Sequence, residues 1–355
     1  MPGKRRPRAA RVAPRSPSAS AESAEVAREW KTWCAENLAR GASRDEVAEV
    51  LRAEGASQAV AEQTVAEIEA SPAMSVARRL SRALRRDRLV VSLLERSRRQ
   101  APSGPRVPRI EWPGGGELVE RYLATSSPVV VTGLVSRWPA MERWSLAALR
   151  ARFGDAVVEV TTWRSADPDY DMHTARHSRE MRLGEYIGMI ERAREPTNDF
   201  YMVAQNRNLS RALRALRDDV LLPDDVVRQE GLELGAQFWL GPAGTVTPLH
   251  HDTSHILFCQ VVGRKRFRLV APTELRLLDD SRAMYAAVDP EAPDLARFPW
   301  WPDVLVRDEV IEPGEMLVLP VGWWHHVRAL DVSVSLAVNA LRVPNRFDDY
   351  VPGSV

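Results

Sequence analysis

The chain has 355 residues, room for one large domain with a smaller one or for two domains, and 45% hydrophobic content is enough for a sizeable core. Its 49 basic and 48 acidic residues leave a formal charge of +1, which argues against bulk electrostatic binding of nucleic acid by the whole chain. Two cysteines, Cys34 and Cys259, supply neither a disulfide framework nor a zinc set, and no run of about 18 apolar residues is present to span a membrane.

Residues 1–18 are rich in Pro, Arg, Ala and Ser and hold no acidic residue. No apolar stretch follows the basic start, so this is a disordered basic tail rather than a secretory signal. A nucleic-acid-touching arm is the alternative. The two-cysteine usage fits a reducing compartment, and a cytoplasmic location is expected. Residues 19–100 read as a small all-α region. Val26, Trp30, Trp33 and Leu38 mark one helical stripe, closed by Gly41. Ser43 and Glu46 form a capping-box pattern ahead of Val47, Val50 and Leu51, with Gly55 as the stop. A third helix carries Val60, Val65 and Ile68 and stops before Pro72. The fourth is longer, apolar at Val76, Leu80, Leu84, Val91 and Leu94, with nine arginines between Arg78 and Arg99. A helical bundle with a solvated basic face is the plain reading. An oligomerisation or substrate-docking module is the functional one.

The Pro/Gly-rich stretch 101–109 is a linker, and 110–355 forms the second domain. SSPVVVTGL reads as a strand, WPAMERWSLAALRARFG as one or two helices ended by Gly154, and DAVVEVTTW as a strand. The next loop holds His173 and His177. Their i, i+4 spacing would suit a helical metal pair, but Asp167-Pro168-Asp169 argues for a loop with ordinary polar histidines. MRLGEYIGMIERA is a helix and DFYMVAQN a short strand containing Tyr201. SHILFCQVV, Gly263-Arg264 and KRFRLVAP then read as strand, tight hairpin turn, strand, with Cys259 a buried small hydrophobe. Residues Met284 to Pro302 form a Pro/Asp-rich insertion, either a lid or substrate wall or, through Trp300 and Trp301, packing on the barrel exterior. The strand EMLVLP leads into PVGWWHHVRAL.

The chemistry concentrates in GPAGTVTPLHHD. In an extended segment residues i and i+2 share a face, so His250 and Asp252 can aim at one point while His251 faces away. A third donor is available at His325 or His326, of which strand alternation allows only one. Two imidazoles and one carboxylate on one face of a metal leave open positions opposite, the arrangement of non-heme Fe(II) oxygenases. A jelly roll, whose interior can hold a ligand cavity, brings such separate strands together. Lys265 is one of only three lysines, with Lys4 and Lys31. A compact ammonium there can pair with a carboxylate deep in a barrel. The turn between it and Asp252 leaves its face undecided, and a solvated edge charge, as expected for Arg264, Arg266 and Arg268, is the alternative.

TPLHHD, followed by GRK and then PGEMLVLPVGWWHHV, resembles the JmjC/cupin-like 2-oxoglutarate oxygenases, nearest the subgroup of factor inhibiting HIF and the JmjC arginyl hydroxylases. HHVRALDVSVSLAVN is similar to the corresponding end of that subgroup, and the resemblance covers about residues 105–345. It implies a mostly β double-stranded β-helix (a cupin-like JmjC jelly roll) with flanking helices. It implies Fe(II) held by His250, Asp252 and His325, with 2-oxoglutarate and dioxygen as cosubstrates. Lys265 and Thr247 are implied for the far carboxylate of 2-oxoglutarate, Tyr201 for the pocket wall, and Asn339 for an amide near the same site. The activity implied is hydroxylation of a protein or peptide side chain. Action on N-methyl groups, a small molecule or tRNA, and a catalytically silent metal-binding interaction protein, are the alternatives. The N-terminal helices are expected to serve homo-oligomerisation or docking.

Overall fold

The computed structural model describes residues 26–100, 106–279 and 281–347; the tail expected over 1–18 and residues 101–105 of the expected linker lie outside the described residues. The chain divides at Arg98/Arg99 into two compact units. No helix among the described residues is long and apolar enough to cross a membrane.

In the N-terminal unit the helices are α1 (Arg28–Arg40), α2 (Arg44–Ala53), α3 (Gln58–Ala70) and α4 (Pro72–Arg99). The Glu46 backbone N–H donates to Ser43 Oγ at 3.2 Å, and the Ser43 N–H donates back to the Glu46 carboxylate at 2.8 Å. That reciprocal box caps α2 and fixes the α1–α2 corner, which Gly41 turns at φ 98°. Trp30 and Trp33 meet edge to face at 5.6 Å and bury with Leu38, Val47, Leu51 and Val65. From α4 only Met74 joins this core. The apolar stripe expected on α4 is exposed instead, with Leu80, Leu84 and Leu94 each more than half accessible. The cause is length: α4 has 28 residues against 10 to 13 for its partners, so its rise carries most of it past the core they enclose.

The C-terminal unit is built on two facing sheets. Its strands in chain order are β1 (Arg109–Glu111), β2 (Val129–Thr132), β3 (Val157–Thr162), β4 (Ser178–Arg182), β5 (Phe200–Tyr201), β6 (Ala236–Gly241), β7 (Val246–His250), β8 (Ile256–Val262), β9 (Lys265–Val270), β10 (Arg307–Ile311), β11 (Met316–Leu319), β12 (Trp324–Ala329) and β13 (Ser333–Val338). The larger sheet has the order β1-β2-β11-β8-β13-β6, parallel only at β1–β2; the smaller has the order β10-β9-β12-β7 and is antiparallel throughout. A three-stranded sheet, β4-β3-β5, stands beside them. This is the jelly-roll architecture with flanking helices.

Strand β8 shows why the larger sheet sits in the middle. Ile256 and Phe258 point into the space between the sheets, while Leu257, Cys259 and Val261 pack outward under Trp144, Tyr186 and Ile187 of the flanking helices. A strand buried on both faces has no polar alternation to show. Its one polar residue, Gln260, is fully buried and satisfied: its amide donates to the carbonyls of Val262 and Gly263 and accepts from Ser335 Oγ.

The hairpin expected across Gly263-Arg264 is corrected. β8 pairs with β11 and β13, whereas β9 pairs with β10 and β12, so the two residues carry the chain from one sheet to the other. Gly263 adopts φ 66°, and a β-carbon there would lie 2.1 Å from the Val332 carbonyl oxygen, which explains the glycine. The strand expected over DFYMVAQN is shorter than its sequence suggests. It ends after Tyr201, because Asn206 Oδ1 accepts from the Val203 N–H at 2.8 Å and winds the following residues into a turn. The insertion between β9 and β10 packs Phe298 and Trp301 against Leu249, Val270 and Trp324 on the outer side of the smaller sheet.

Candidate metal centre

Register in the smaller sheet assembles the site. His325 on β12 lies opposite His250 on β7 and opposite Leu269 on β9. Residues directly opposite in a sheet share a face, so both histidines project with Leu269 into the space between the sheets. Asp252 lies two residues past the end of β7. Side-chain donors of His250, Asp252 and His325 come within 4.8 Å of one another, with His325 Nε2 3.5 Å from Asp252 Oδ2 and the two imidazole centroids 3.9 Å apart.

The imidazoles are oriented by the backbone. His250 Nδ1 lies 2.8 Å from the Pro248 carbonyl oxygen, and His325 Nδ1 lies 3.0 Å from that of Trp323. A carbonyl only accepts, so each Nδ1 carries the proton and each Nε2 presents a lone pair to the common point. Burial, with His250 close by, holds the His325 imidazole well below its usual pKa, in the neutral form a divalent cation requires. The donor set therefore fits a non-heme iron(II) site. The neighbouring histidines point elsewhere. His251 stacks edge-on against Trp324 at 4.5 Å, and His326 faces Glu291 at 4.0 Å on the outer side.

Lys265 has the parity of Phe267 and Leu269, both buried between the sheets, so it too points inward. Leu269 lies four positions further along, which puts Lys265 about 13 Å along β9 from the rung of His325. The residue is 1% exposed, and its ammonium donates to Tyr201 Oη at 2.8 Å. Phe258, Tyr201 and Trp239 rings surround it at 5.3, 5.5 and 6.0 Å from their centroids. No carboxylate among the described residues pairs with it, and burial lowers its pKa from 10.5 to about 7. By contrast Arg264 pairs with Asp331, Arg266 with Asp308, and Arg268 with Asp308 and Glu291, all on the outer face.

A cavity of about 600 Å³ joins these groups: His250, Asp252 and His325, then Thr247, Tyr201 and Lys265. Asn339 is not a wall of it. That residue follows β13, where its N–H donates to the Gly235 carbonyl and its own carbonyl accepts from Asn345 Nδ2. His173 and His177 both turn to Asp167, at 2.7 and 3.0 Å, a local polar cluster that keeps the Asp167 carboxyl ionised well below its usual range. Met284 and Tyr285 of the insertion do line the cavity, with the Tyr285 ring 5.6 Å from His250, while Trp301 packs on the exterior; the two readings of that insertion thus apply to its two ends. One wall residue, Asp171, had no signal in the sequence beyond lying in an Asp-rich loop.

Two facing sheets with two imidazoles and a carboxylate converging inside define a cupin-type domain with a candidate metal site. Residues 116–340 match the sequence profile of the cupin-like domain, and the chain belongs to that family, in its JmjC branch. It is 32% identical over 238 residues to "Lysine-specific demethylase 8" of Xenopus tropicalis, covering 65% of this chain and 52% of that protein. It is 35% identical over 226 residues to "Lysine-specific demethylase JMJ30" of Arabidopsis thaliana, covering 61% and 50%. With the human "Bifunctional peptidase and (3S)-lysyl hydroxylase JMJD7" it shares 28% identity over 239 residues, 58% and 75% of the two chains. The matched part spans about half the length of the first two relatives.

Proposed function

We propose that the protein is an Fe(II)- and 2-oxoglutarate-dependent dioxygenase that hydroxylates a side chain of a protein or peptide. The observation that carries this reading is the pairing, in one cavity, of a candidate three-donor metal site with a buried ammonium that has no counter-charge among the described residues. In this reading His250, Asp252 and His325 hold the iron. Lys265 and the Tyr201 hydroxyl receive the far carboxylate of 2-oxoglutarate, with Thr247 beside them. Bound together, iron, 2-oxoglutarate and dioxygen supply the oxidising power that turns a substrate C–H into C–OH, with succinate and CO₂ as co-products. The aromatic rings around Lys265 keep water from competing for the ammonium and strengthen its pairing with an anion. Tyr285 and Met284 wall the side from which a substrate group approaches the metal donors.

The relatives named above include demethylases and a lysyl hydroxylase, which supports a protein substrate. Demethylation is the same chemistry carried one step further, because a hydroxylated N-methyl group falls apart to formaldehyde. Anaerobic titration with Fe(II) and then 2-oxoglutarate should give a weak visible charge-transfer band. Aerobic incubation with peptide pools should then give succinate and a product heavier by one oxygen atom. Absence of both the band and 2-oxoglutarate-dependent succinate overturns the proposal, and formaldehyde with a lighter peptide redirects it to demethylation.

A further inference from the structure

Half of the large hydrophobic side chains left exposed among the described residues lie on one helix, α4. Val76, Leu80 and Leu84 occupy its first half, and Leu89, Val90, Leu93 and Leu94 its second. At about 100° of turn per residue, Val76, Leu80, Leu84 and Leu94 fall on one side of the helix. Met74, which enters the bundle core, and Arg78, which binds Glu69 of α3, mark the opposite side. Helices α1–α3 therefore leave the apolar stripe uncovered for about 27 Å, from Val76 to Leu94.

The same helix concentrates positive charge. It holds nine arginines against Asp87 and Glu95, while the rest of the chain has more acidic than basic residues. Arg79, Arg82, Arg88 and Arg96 are exposed and pair with no carboxylate among the described residues. These charges decide between occupants of the stripe. A paired coil needs opposite signs flanking its seam, and two copies of α4 would set arginine against arginine. A protein groove takes an amphipathic helix by large anchor side chains, aromatic ones above all, and α4 has no aromatic residue. A nucleic acid would take the arginines and leave the leucines in water. An anionic lipid surface satisfies both sets. Its acyl boundary accepts the Val and Leu side chains, and its phosphates receive guanidinium groups carried on long apolar stems.

We propose that α4 is a membrane-surface helix, which lies in the plane of an anionic lipid layer with its Val/Leu stripe down and its arginines on the phosphates. The helix lies on the bilayer and does not cross it. The proposal is independent of the metal cavity. One residue opposes it locally: Asp87 falls on the stripe between Leu84 and Leu94, 3.4 Å from the Arg86 guanidinium. A carboxylate on the lipid-facing line weakens the attachment, so its removal has a defined sign.

The test uses the full chain and co-sedimentation with vesicles of phosphatidylcholine alone or with about 30% phosphatidylglycerol, in about 0.1 M salt. The wild type should bind the anionic vesicles about tenfold or more tighter than the neutral ones, a preference that a few arginines at a charged surface suffice to give. Leu80→Ser combined with Leu84→Ser should weaken binding to the anionic vesicles about tenfold or more. Arg82→Gln combined with Arg88→Gln should weaken it and flatten its salt dependence. Asp87→Asn should strengthen it. All five side chains are exposed, so far-UV circular dichroism and the melting temperature should match the wild type and separate binding from folding. No binding of the folded wild type to anionic vesicles overturns the proposal, and so does equal binding to both vesicle types. Binding lost with the arginines but unchanged without the leucines also overturns it, and gives the face to a polyanion, which titration with duplex DNA checks directly. A concentration-dependent dimer that the double leucine variant abolishes, with no vesicle binding, overturns it in favour of a second copy.

Discussion

Replacing Lys265 with methionine should make the ligand-free protein more stable while destroying its affinity for 2-oxoglutarate. Burial moves the ammonium pKa from 10.5 to about 7, which at 1.36 kcal/mol per pH unit corresponds to about 5 kcal/mol against folding when the group is charged in the unfolded chain. Methionine has similar length and no charge to desolvate. It forfeits the hydrogen bond to Tyr201, a loss of about 1 kcal/mol, so a net gain of about 3–4 kcal/mol is expected at pH 7. The sign of the pH dependence follows from the two pKa values. Below pH 7 both folded and unfolded chains hold the proton, and the full burial cost is present. Between pH 7 and about 10 the unfolded chain holds it and the folded chain does not, so wild-type stability rises with pH through that window. The variant lacks this contribution. Urea unfolding of both proteins from about pH 6 to pH 9.5 measures the difference, which should shrink steadily above pH 7. A bound 2-oxoglutarate dianion restores a counter-charge and raises the pKa, so its affinity for the wild type should weaken as pH rises above 7. A variant less stable than the wild type at pH 7, or a difference between the two that stays flat with pH, refutes this account of Lys265.

Two further predictions concern the frame of the site. His325→Ala should lose bound iron after anaerobic loading, measured by metal analysis, while His326→Ala, whose imidazole faces Glu291, should retain it; the reverse outcome shifts the register of β12 by one residue. Gly263→Ala should cost about 1–3 kcal/mol from the left-handed backbone alone, with more from the contact with the Val332 carbonyl. Thermal unfolding should show the loss, and an unchanged melting temperature means that the turn relaxes freely.

The sequence carried the site further than it carried the sheet pairing. His250 and Asp252 were legible because an i, i+2 pair shares a face; alternation allowed only one of His325 and His326 to join them, and it was the family resemblance that picked His325. Lys265 was not decided by counting from Asp252, since the chain changes sheets between them. The informative count ran forward, to Phe267 and Leu269 on the same strand. Gly263-Arg264 read as a hairpin because local turn chemistry records that the chain reverses, not which strands then pair. The unbroken apolar run of β8 was the clue that it lies between two layers. On α4 the helical stripe was real as a pattern, but pattern does not say whether a partner element reaches it. Asp171 was invisible for a deeper reason: a place on the cavity wall is a property of the folded surroundings, and no spacing encodes it.

The metal donors of β7 and β12 and the ammonium of β9 all hang from one four-stranded sheet, while Trp239, Phe258 and Ala337 close the cavity from the other. His250, His325 and Lys265 are therefore tied to each other by a continuous ladder of backbone hydrogen bonds, and the opposite wall meets them mainly by packing. A shift of one sheet against the other would change the width of the chamber without changing the spacing between His250, His325 and Lys265. Substitutions in the opposite wall can accordingly reshape what the chamber admits while the chemistry stays where it is. A fold divided in this way lets a lineage trade one substrate for another by altering a few side chains on a single face.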